Sequence, residues 1–349
     1  MRLHQLTSVE GIIAFDFEEQ VVHAGGTRLV PDPRPDEAAL LARAMTYKFG
    51  VLQLRLGGAK AVVRATSEPR AELLGRYCDE IRPLVAARRF LTGADIGTSD
   101  ADFESLVRPE ERNHPIRSVV GGVPFEDLVT GYGVAVAIDE ALGGVDGRAV
   151  AIEGFGKVGG GIAREVVRRG GRVVAVSTLA GCIADRRGLQ IDALLAERVV
   201  HGDRCIEHVG IEVLSPAALF VHEADAFVPG ARIGVLDEIT AAGLSATAVV
   251  PAANVPYTAS GLSVLTARGI AAHADFVCNA GGVLGYEAEL SATPDDVLLS
   301  VQQRIRELVA TTKAHPAGPF AGACELAEAF LRTWRDPAMG VLDSRPVSQ

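Results

Sequence analysis

The sequence is short of lysine. Four lysines, Lys48, Lys60, Lys157 and Lys313, stand against thirty arginines, the rest of 34 basic residues. A coding bias can produce that ratio, so scarcity alone assigns no role. Basic charge is also in deficit, with 44 acidic residues and a net charge of -10. A nucleic-acid surface needs a basic patch, so no nucleic acid is expected as a partner. No run of about 18 apolar residues occurs, so no helical membrane span is expected. The stretch MRLHQLTSVEG lacks the apolar core of a signal peptide, and the expected location is the cytoplasm. Cysteine is sparse and odd in number: Cys78, Cys182, Cys205, Cys278 and Cys324. They fit neither a disulfide framework nor paired zinc spacing. The eight histidines make no ligand pair on a helix, and no metal is expected. Aromatics are 5% of the chain while 48% is apolar, a balance that suits a globular α/β protein. The 349 residues are comfortable for two domains.

Residues 9–17 and 19–23 are expected to be strands joined by a turn. Pro31, Pro33 and Pro35 then mark a loop. Asp36 is a candidate N-cap for a helix to about residue 52, whose apolar face includes Leu41 and Met45. Lys48 falls on that core-facing stripe. A second helix is expected over about 69–88. The stretch RRFLTGADIGTSDADF reads as a strand, a loop holding Asp95, and a helix capped near Thr98 or Ser99. After residue 125 the pattern becomes helix 125–142, strand RAVAIEGFG, a helix to Arg169 and strand RVVAVST. Later strands end at DAFVPGA, TAVVPAAN and AAHADFVCNAGG. That alternation predicts parallel pairing with right-handed crossovers. Helices close the chain at about 294–313 and 319–334.

The stretch AVAIEGFGKVGGGIAREVV holds Gly154, Gly156 and Gly159 in GxGxxG spacing. It follows an apolar strand and opens a helix, the context a dinucleotide site requires. Glycines permit the tight turn and the approach of backbone to pyrophosphate, whose charge the helix N-terminus favours. About 20 residues on, NAD sites carry an acid for the ribose. Here the strand ends at Thr178, and Arg186 and Arg187 follow eight and nine residues later. NAD and NADP both stay open.

Lys48 and Lys60 share one apolar stretch, MTYKFGVLQLRLGGAKAVV. A lysine can give up its proton and an arginine in a protein cannot. Lys60 follows Gly57 and Gly58, where the backbone is expected to bend tightly. Burial would bring its pKa toward the range of about 7–8 useful to a general base. A charge on the buried stripe at Lys48 needs a partner, and a substrate carboxylate would serve. The bland alternative is that both stems snorkel to water.

With these blocks in order, the sequence resembles the glutamate/leucine/phenylalanine/valine dehydrogenase family. The resemblance runs from about Ile12 to Glu287 and rests on GGTR at 25–28, MTYK at 45–48, GGAK at 57–60 and ADIGT at 94–98. It continues through TGYGV at 130–134, GFGKVG at 154–159, PAANVPYT at 251–258 and NAGGV at 279–283. It implies two α/β domains around a cleft, the second a Rossmann-type doubly wound parallel sheet. The substrate/catalytic domain would span 1–124, with the C-terminal helix region 316–349 returning to it, and the NAD(P)-binding domain 125–315. The implied activity is the reversible NAD(P)-dependent oxidative deamination of an L-amino acid to a 2-oxo acid and ammonia, by a homo-oligomer.

By the same resemblance, Lys48 would bind the substrate α-carboxylate. Lys60 would activate the water that attacks the imine carbon, and Asp95 would shuttle protons to and from the substrate nitrogen. Gly25 and Gly26 would line the pocket with backbone. Thr130 and Asn279 would hold the nicotinamide amide, and Asn254 would lie between the nicotinamide ribose and the substrate. Gly154, Phe155, Gly156, Lys157, Val158, Gly159, Thr178, Ala252 and Ala253 complete the cofactor set. Two departures stand out: Gly230 in DAFVPGAR, where the family usually carries a small residue with a methyl, and the short HPIRSVVGG segment between Asp95 and Thr130. Glutamate-type members hold the distal carboxylate with a lysine before the GG pair and a serine three residues after the NAGGV valine. Here those positions are Ala24 and Tyr286, with Val283 as the valine. The pocket therefore looks closer to the leucine/phenylalanine type. Ala24 and Gly93 leave room for a ring; Tyr286 fills part of that room or meets a polar tip. Leucine, valine or glutamate as substrate, or a silent nucleotide-binding relative, are the alternatives.

Overall fold

The computed structural model describes residues 1–17, 21–120, 122–335 and 344–348. The chain divides into two compact units, Met1–Asn113 with Cys324–Pro346, and His114–Ala323 with Val347–Gln349. That division falls N-terminal to the residue-124 boundary suggested by the strand–helix alternation.

The first unit contains β1 (Arg2–Gln5), β2 (Gly11–Phe15), β3 (His23–Val30), α1 (Pro35–Val51), β4 (Gly57–Arg64), α2 (Arg70–Ala86) and β5 (Phe90–Ala94). The strands lie in the order β1-β2-β4-β3-β5. β3 runs parallel to β4 and β5, whereas β2 is antiparallel to β1 and β4. Successive strand side chains face opposite sides, and the sheet has two cores. Ile13, Phe15, Ala59, Ala61 and Val63 pack with Leu74, Tyr77 and Ile81 of α2. Ile12, Ala14 and Val62 pack with Ala38 and Ala42 of α1. Lys60 therefore belongs to the α1 side.

Three local expectations are corrected. α1 is capped at Arg34, not Asp36. Pro35 takes the first helical position, where its fixed φ suits a helix. Asp36 and Glu37 fall in the first turn, where carboxylates complement the helix dipole. A strand over 19–23 is not seen among the described residues, and residues 19 and 20 of that stretch lie outside them. The strand starts at His23 and carries GGTR through to Val30. Gly57 and Gly58 do not bend the chain; they open β4. A Cβ on Gly58 would lie 1.9 Å from the Ala42 carbonyl oxygen and 2.5 Å from the Thr46 nitrogen. The Gly58 N–H donates to Thr46 Oγ1 at 3.0 Å. Glycine is needed because α1 lies directly on the strand. Gly58→Ala is expected to cost roughly 3 kcal/mol, near the top of the overpacking range. Calorimetry checks this: an unchanged Tm would mean that α1 can shift away at no cost.

The second unit opens with a short hairpin, β6 (Val119–Val120) and β7 (Val123–Pro124), followed by α3 (Phe125–Leu142). β8 (Ala149–Ile152), α4 (Lys157–Arg168), β9 (Arg172–Thr178), β10 (Gly181–Ala184) and α5 (Ile191–His201) come next. Then follow β11 (Ala226–Val228), α6 (Glu238–Gly243), β12 (Ala248–Val249), α7 (Ala259–Ala267) and β13 (Ala271–Ala272). α8 (Asp275–Cys278), α9 (Gly281–Tyr286), α10 (Pro294–Lys313) and α11 (Pro319–Leu331) complete it, α11 passing into the first unit at Cys324. The strand order is β10-β9-β8-β11-β12-β13. Every pair is parallel except β10 with β9. This is a Rossmann-type sheet, and ligands bind such sheets at the strand carboxyl ends. The five cysteines are buried free thiols. Among the described residues no helix is long and apolar enough to cross a membrane.

Candidate active site

In the first unit, Ala24 pairs with Gly58 and Thr27 with Ala61, so the intervening register sets Gly26 beside Lys60. Across β5, Gly26 pairs with Gly93. A Cβ on Gly26 would lie 3.0 Å from Asp95 Cβ. The missing side chain lets Asp95 approach β3. Its turn is fixed by Thr98, whose Oγ1 accepts from Asp95 N at 2.9 Å and donates to the Thr27 carbonyl at 2.8 Å. Lys60 is 3% exposed, and its ammonium forms an ion pair with Asp95 Oδ2. Arg28 Nε donates to the same oxygen at 2.7 Å, and Arg28 Nη1 donates to Glu37 Oε1 at 2.6 Å. Four charges of alternating sign thus run Lys60–Asp95–Arg28–Glu37 across β4, the turn after β5, β3 and α1.

Burial lowers the Lys60 pKa and outweighs Asp95, and Arg28 lowers it further. Burial acts to raise the Asp95 carboxyl, but Lys60 and Arg28 prevail and hold it below the usual carboxylate range. The pair therefore offers a lysine that loses its proton readily beside a carboxylate that stays ionised. Lys48 is buried near the end of α1. A Cβ on Gly25 would lie 1.7 Å from the Ala59 carbonyl oxygen, which forces backbone alone at that point. A Cβ on Gly93 would meet nothing within 4 Å. Ala24 lies opposite Leu91 of β5. The structure thus brings Gly25, Gly26, Gly93, Lys60 and Asp95 into one region of the sheet. Sequence reasoning missed Arg28 and Glu37, although GGTR was the visible signal for the first.

In the second unit, a Cβ on Gly159 would lie 2.0 Å from the Gly154 carbonyl oxygen, and Gly154 has φ of +85°. Gly154 N donates to Ser177 Oγ at 3.3 Å. No side chain caps α4 at Gly156. A Cβ there would approach only Arg198 Nη2, at 3.9 Å. The open cradle over a helix N-terminus fits a pyrophosphate. Phe155 is buried, Val158 is half-buried, and Lys157 pairs with Asp127 at 3.1 Å. Thr178 Oγ1 donates to the Asp203 carbonyl at 2.6 Å, and Arg198 pairs with Asp203 at 3.1 Å.

A third group gathers near α8 and α9. Asn279 Nδ2 donates to the Ala252 carbonyl at 3.0 Å and to Asn254 Oδ1 at 2.9 Å. The N–H groups of Ala252 and Ala253 both donate to the Pro229 carbonyl at 2.9 Å. Thr130 Oγ1 donates to the Glu126 carbonyl at 3.0 Å and would lie 3.1 Å from a Cβ on Gly282. Thr130 and the Asn279 segment are thus neighbours. Val255 is left-handed at φ of 51°, a costly state for a β-branched residue. Its N–H donates to the buried carboxylate of Asp275 at 2.9 Å, a support the sequence did not reveal. Val283 is half-buried. Tyr286 is 40% exposed, and its hydroxyl donates to Glu126 Oε2 at 3.2 Å.

Elsewhere on this unit Glu197, His201 and His208 place ligand-type atoms within 4.8 Å of one another, a grouping not anticipated from spacing. His201 meets Glu197 at 3.3 Å and stacks on His208 at 3.7 Å.

The family described as "Glutamate/Leucine/Phenylalanine/Valine dehydrogenase" matches residues 121–315. The "Glu/Leu/Phe/Val dehydrogenase, dimerisation domain" matches residues 2–111. The chain belongs to this family. A curated relative is the NAD-specific glutamate dehydrogenase of Staphylococcus aureus strain COL, 31% identical over 277 residues and 74% of this chain. The chain spans 66% of that relative's length. Among solved structures, the hetero-hexameric glutamate dehydrogenase from Thermus thermophilus in its Leu-bound form matches at a TM-score of 0.81 and 24% identity. It covers 95% of this chain and 86% of its own. L-tryptophan dehydrogenase from Nostoc punctiforme matches at 0.62 and 22% identity, covering 95% and 97%. Those two likenesses establish the shared fold.

Both departures from the family pattern have a local physical account. A Cβ on Gly230 would lie 2.4 Å from the Glu153 carbonyl oxygen, so a methyl does not fit at that spacing. In HPIRSVVGG, His114 Nε2 lies 3.0 Å from the Ala288 carbonyl, and Ile116 fills the space beside Gly285. The segment thereby braces α9.

Proposed function

We propose that this chain catalyses the reversible NAD(P)-dependent oxidative deamination of an apolar L-amino acid. The observation that carries the reading is the ion pair of buried Lys60 with half-buried Asp95, in a chain of this family. Net, the amino acid, NAD(P)+ and water give the 2-oxo acid, ammonium, NAD(P)H and a proton. The nicotinamide coenzyme, when bound, accepts the hydride from the α-carbon. Lys48 holds the α-carboxylate, and the backbone of Gly25 and Gly26 lines the site beside it. Asp95 takes a proton from the substrate nitrogen. Lys60 removes a proton from the water that adds to the imine carbon. Thr130 and Asn279 hold the carboxamide of the cofactor, with Asn254 beside its ribose. On this reading the first unit is the substrate and catalytic domain and the second the nucleotide-binding domain, in a homo-oligomer. Both NAD and NADP suit the ribose end: Thr178 replaces an acid there, and Arg198 and Asp203 offer both signs of charge.

The substrate reading rests on what the pocket positions lack. Where, by the resemblance, glutamate-type members carry a lysine and a serine, Ala24 of the first unit and Tyr286 of the second supply no positive charge for a distal carboxylate. Gly93 leaves space beyond its Cα, which extends the reading to a ring-sized side chain. The named activity of the 31% identical relative supports glutamate instead. A kcat/KM panel of phenylalanine, tryptophan, leucine, valine and glutamate with NAD and NADP decides. An apolar substrate is expected to lead glutamate by orders of magnitude. Glutamate in first place would refute the pocket reading; leucine or valine in first place would refute the ring alone.

A further inference from the structure

Arg28 closes the GGTR motif, and the proposed mechanism leaves it without a task. It is 7% exposed, on the α1 side of β3, paired in register with Val62 of β4. Its Nε reaches Asp95 Oδ2 at 2.7 Å and its Nη1 reaches Glu37 Oε1 at 2.6 Å. Lys60 meets the same Asp95 oxygen. The hydrogen bond from Arg28 and the closest approach of Lys60 both fall on Asp95 Oδ2. Two cations on one oxygen restrict the carboxylate's rotation.

We propose that Arg28 is a positioning residue that clamps Asp95 through Oδ2 beside Lys60 and so turns Oδ1 toward the substrate nitrogen, with Glu37 as its anchor. The inference rests on the assignment of Lys60 as base and Asp95 as proton shuttle. The charged groups facing Lys60 are Asp95 from the turn after β5, Arg28 from β3 and Glu37 from α1. β2 contributes Ala14 opposite. Arg28 is the cation in that set. It opposes a proton on Lys60, whereas Asp95 and Glu37 favour one. A planar guanidinium can hold two carboxylates at once from a fixed fork, which an ammonium cannot do with the same geometry.

Opposite signs make the test sharp. The readout is the limb of the pH–kcat/KM profile that disappears in Lys60→Ala. Arg28→Gln removes a like charge, so that limb is expected to move about 1 unit to higher pH, with kcat reduced at least tenfold. Glu37→Gln removes an anion at a site that is one-third exposed, where the fold tolerates change. There the limb is expected to move to lower pH, by less. Arg28→Lys keeps the charge and loses the fork, so the limb should stay near wild type while kcat falls. Unmoved limbs in both Arg28→Gln and Glu37→Gln, with losses that follow Tm, would overturn the proposal and leave Arg28 as scaffold. Equal shifts in Arg28→Gln and Arg28→Lys would overturn it as well. If Lys60→Ala itself retains turnover, the base assignment fails first, and that outcome is distinct. Should Arg28→Gln not fold, Arg28→Lys and Glu37→Gln still decide the question.

Discussion

Lys60→Ala is expected to cut turnover by about 10²–10⁴-fold, the usual contribution of a positioned general base. Cofactor affinity should remain near wild type, because the GxGxxG turn belongs to the second unit. The size of the effect follows from the surroundings of the amine. Burial and Arg28 pull its pKa down, while Asp95 and Glu37 favour the proton. A lysine in ordinary solvent would be almost wholly protonated at neutral pH and a poor base. Alanine leaves Asp95 tied to Arg28 and Arg28 tied to Glu37, so the cluster keeps three of its members and the fold survives. Steady-state kinetics and a cofactor titration together give the answer. Turnover within a few fold of wild type would mean that Lys60 is a structural cation and that the proposed mechanism is wrong.

The second unit is the more legible half of the sequence. Its strands are short apolar runs alternating with helices, and β11 passes at once into Pro229 and Gly230. Physical constraint and sequence signal coincide there: the glycines that close the turn at Gly154 and Gly159 are the same ones that read as a fingerprint. In the first unit the signals conflict. Gly57–Gly58 reads as a tight bend, yet the pair opens strand β4. Gly25 answers to a close contact with Ala59 and Gly58 to one with α1, which no local window contains. Lys60 and Asp95 are visible through the family pattern. Arg28 is visible only as the last residue of GGTR, and its contact is not, because Arg28 and Asp95 lie 67 residues apart. Asp275 is hidden for the same reason: its partner is the strained N–H of Val255, 20 residues earlier.

Asp95→Asn is expected to give a folded, cofactor-binding protein with almost no activity. The amide keeps the shape of the carboxyl and can still accept from Arg28 Nε, but it cannot take a proton from the substrate nitrogen. Removing one member of a buried ion pair ordinarily costs several kcal/mol, because the partner is left charged and unpaired. Lys60 has an escape that softens this cost. Burial already disfavours its proton, and without Asp95 the repelling Arg28 remains beside it. The amine can therefore go neutral, so stability falls less than activity does. The pH dependence carries a sign. In the wild type the Asp95 carboxyl lies below its usual range. Its stabilising contribution is therefore present above the unfolded pKa of about 3.9 and fades as pH falls through the folded value. The Asp95→Asn variant should lack that acid-side loss. The wild-type and variant stability curves should thus converge as the medium is made strongly acidic. Calorimetry across pH beside single-turnover kinetics separates the roles. A Tm that collapses at neutral pH together with activity would identify Asp95 as a turn-forming residue, held by Thr98 for structure alone. A near-normal Tm with turnover lost by about 10² or more would keep it as the proton shuttle.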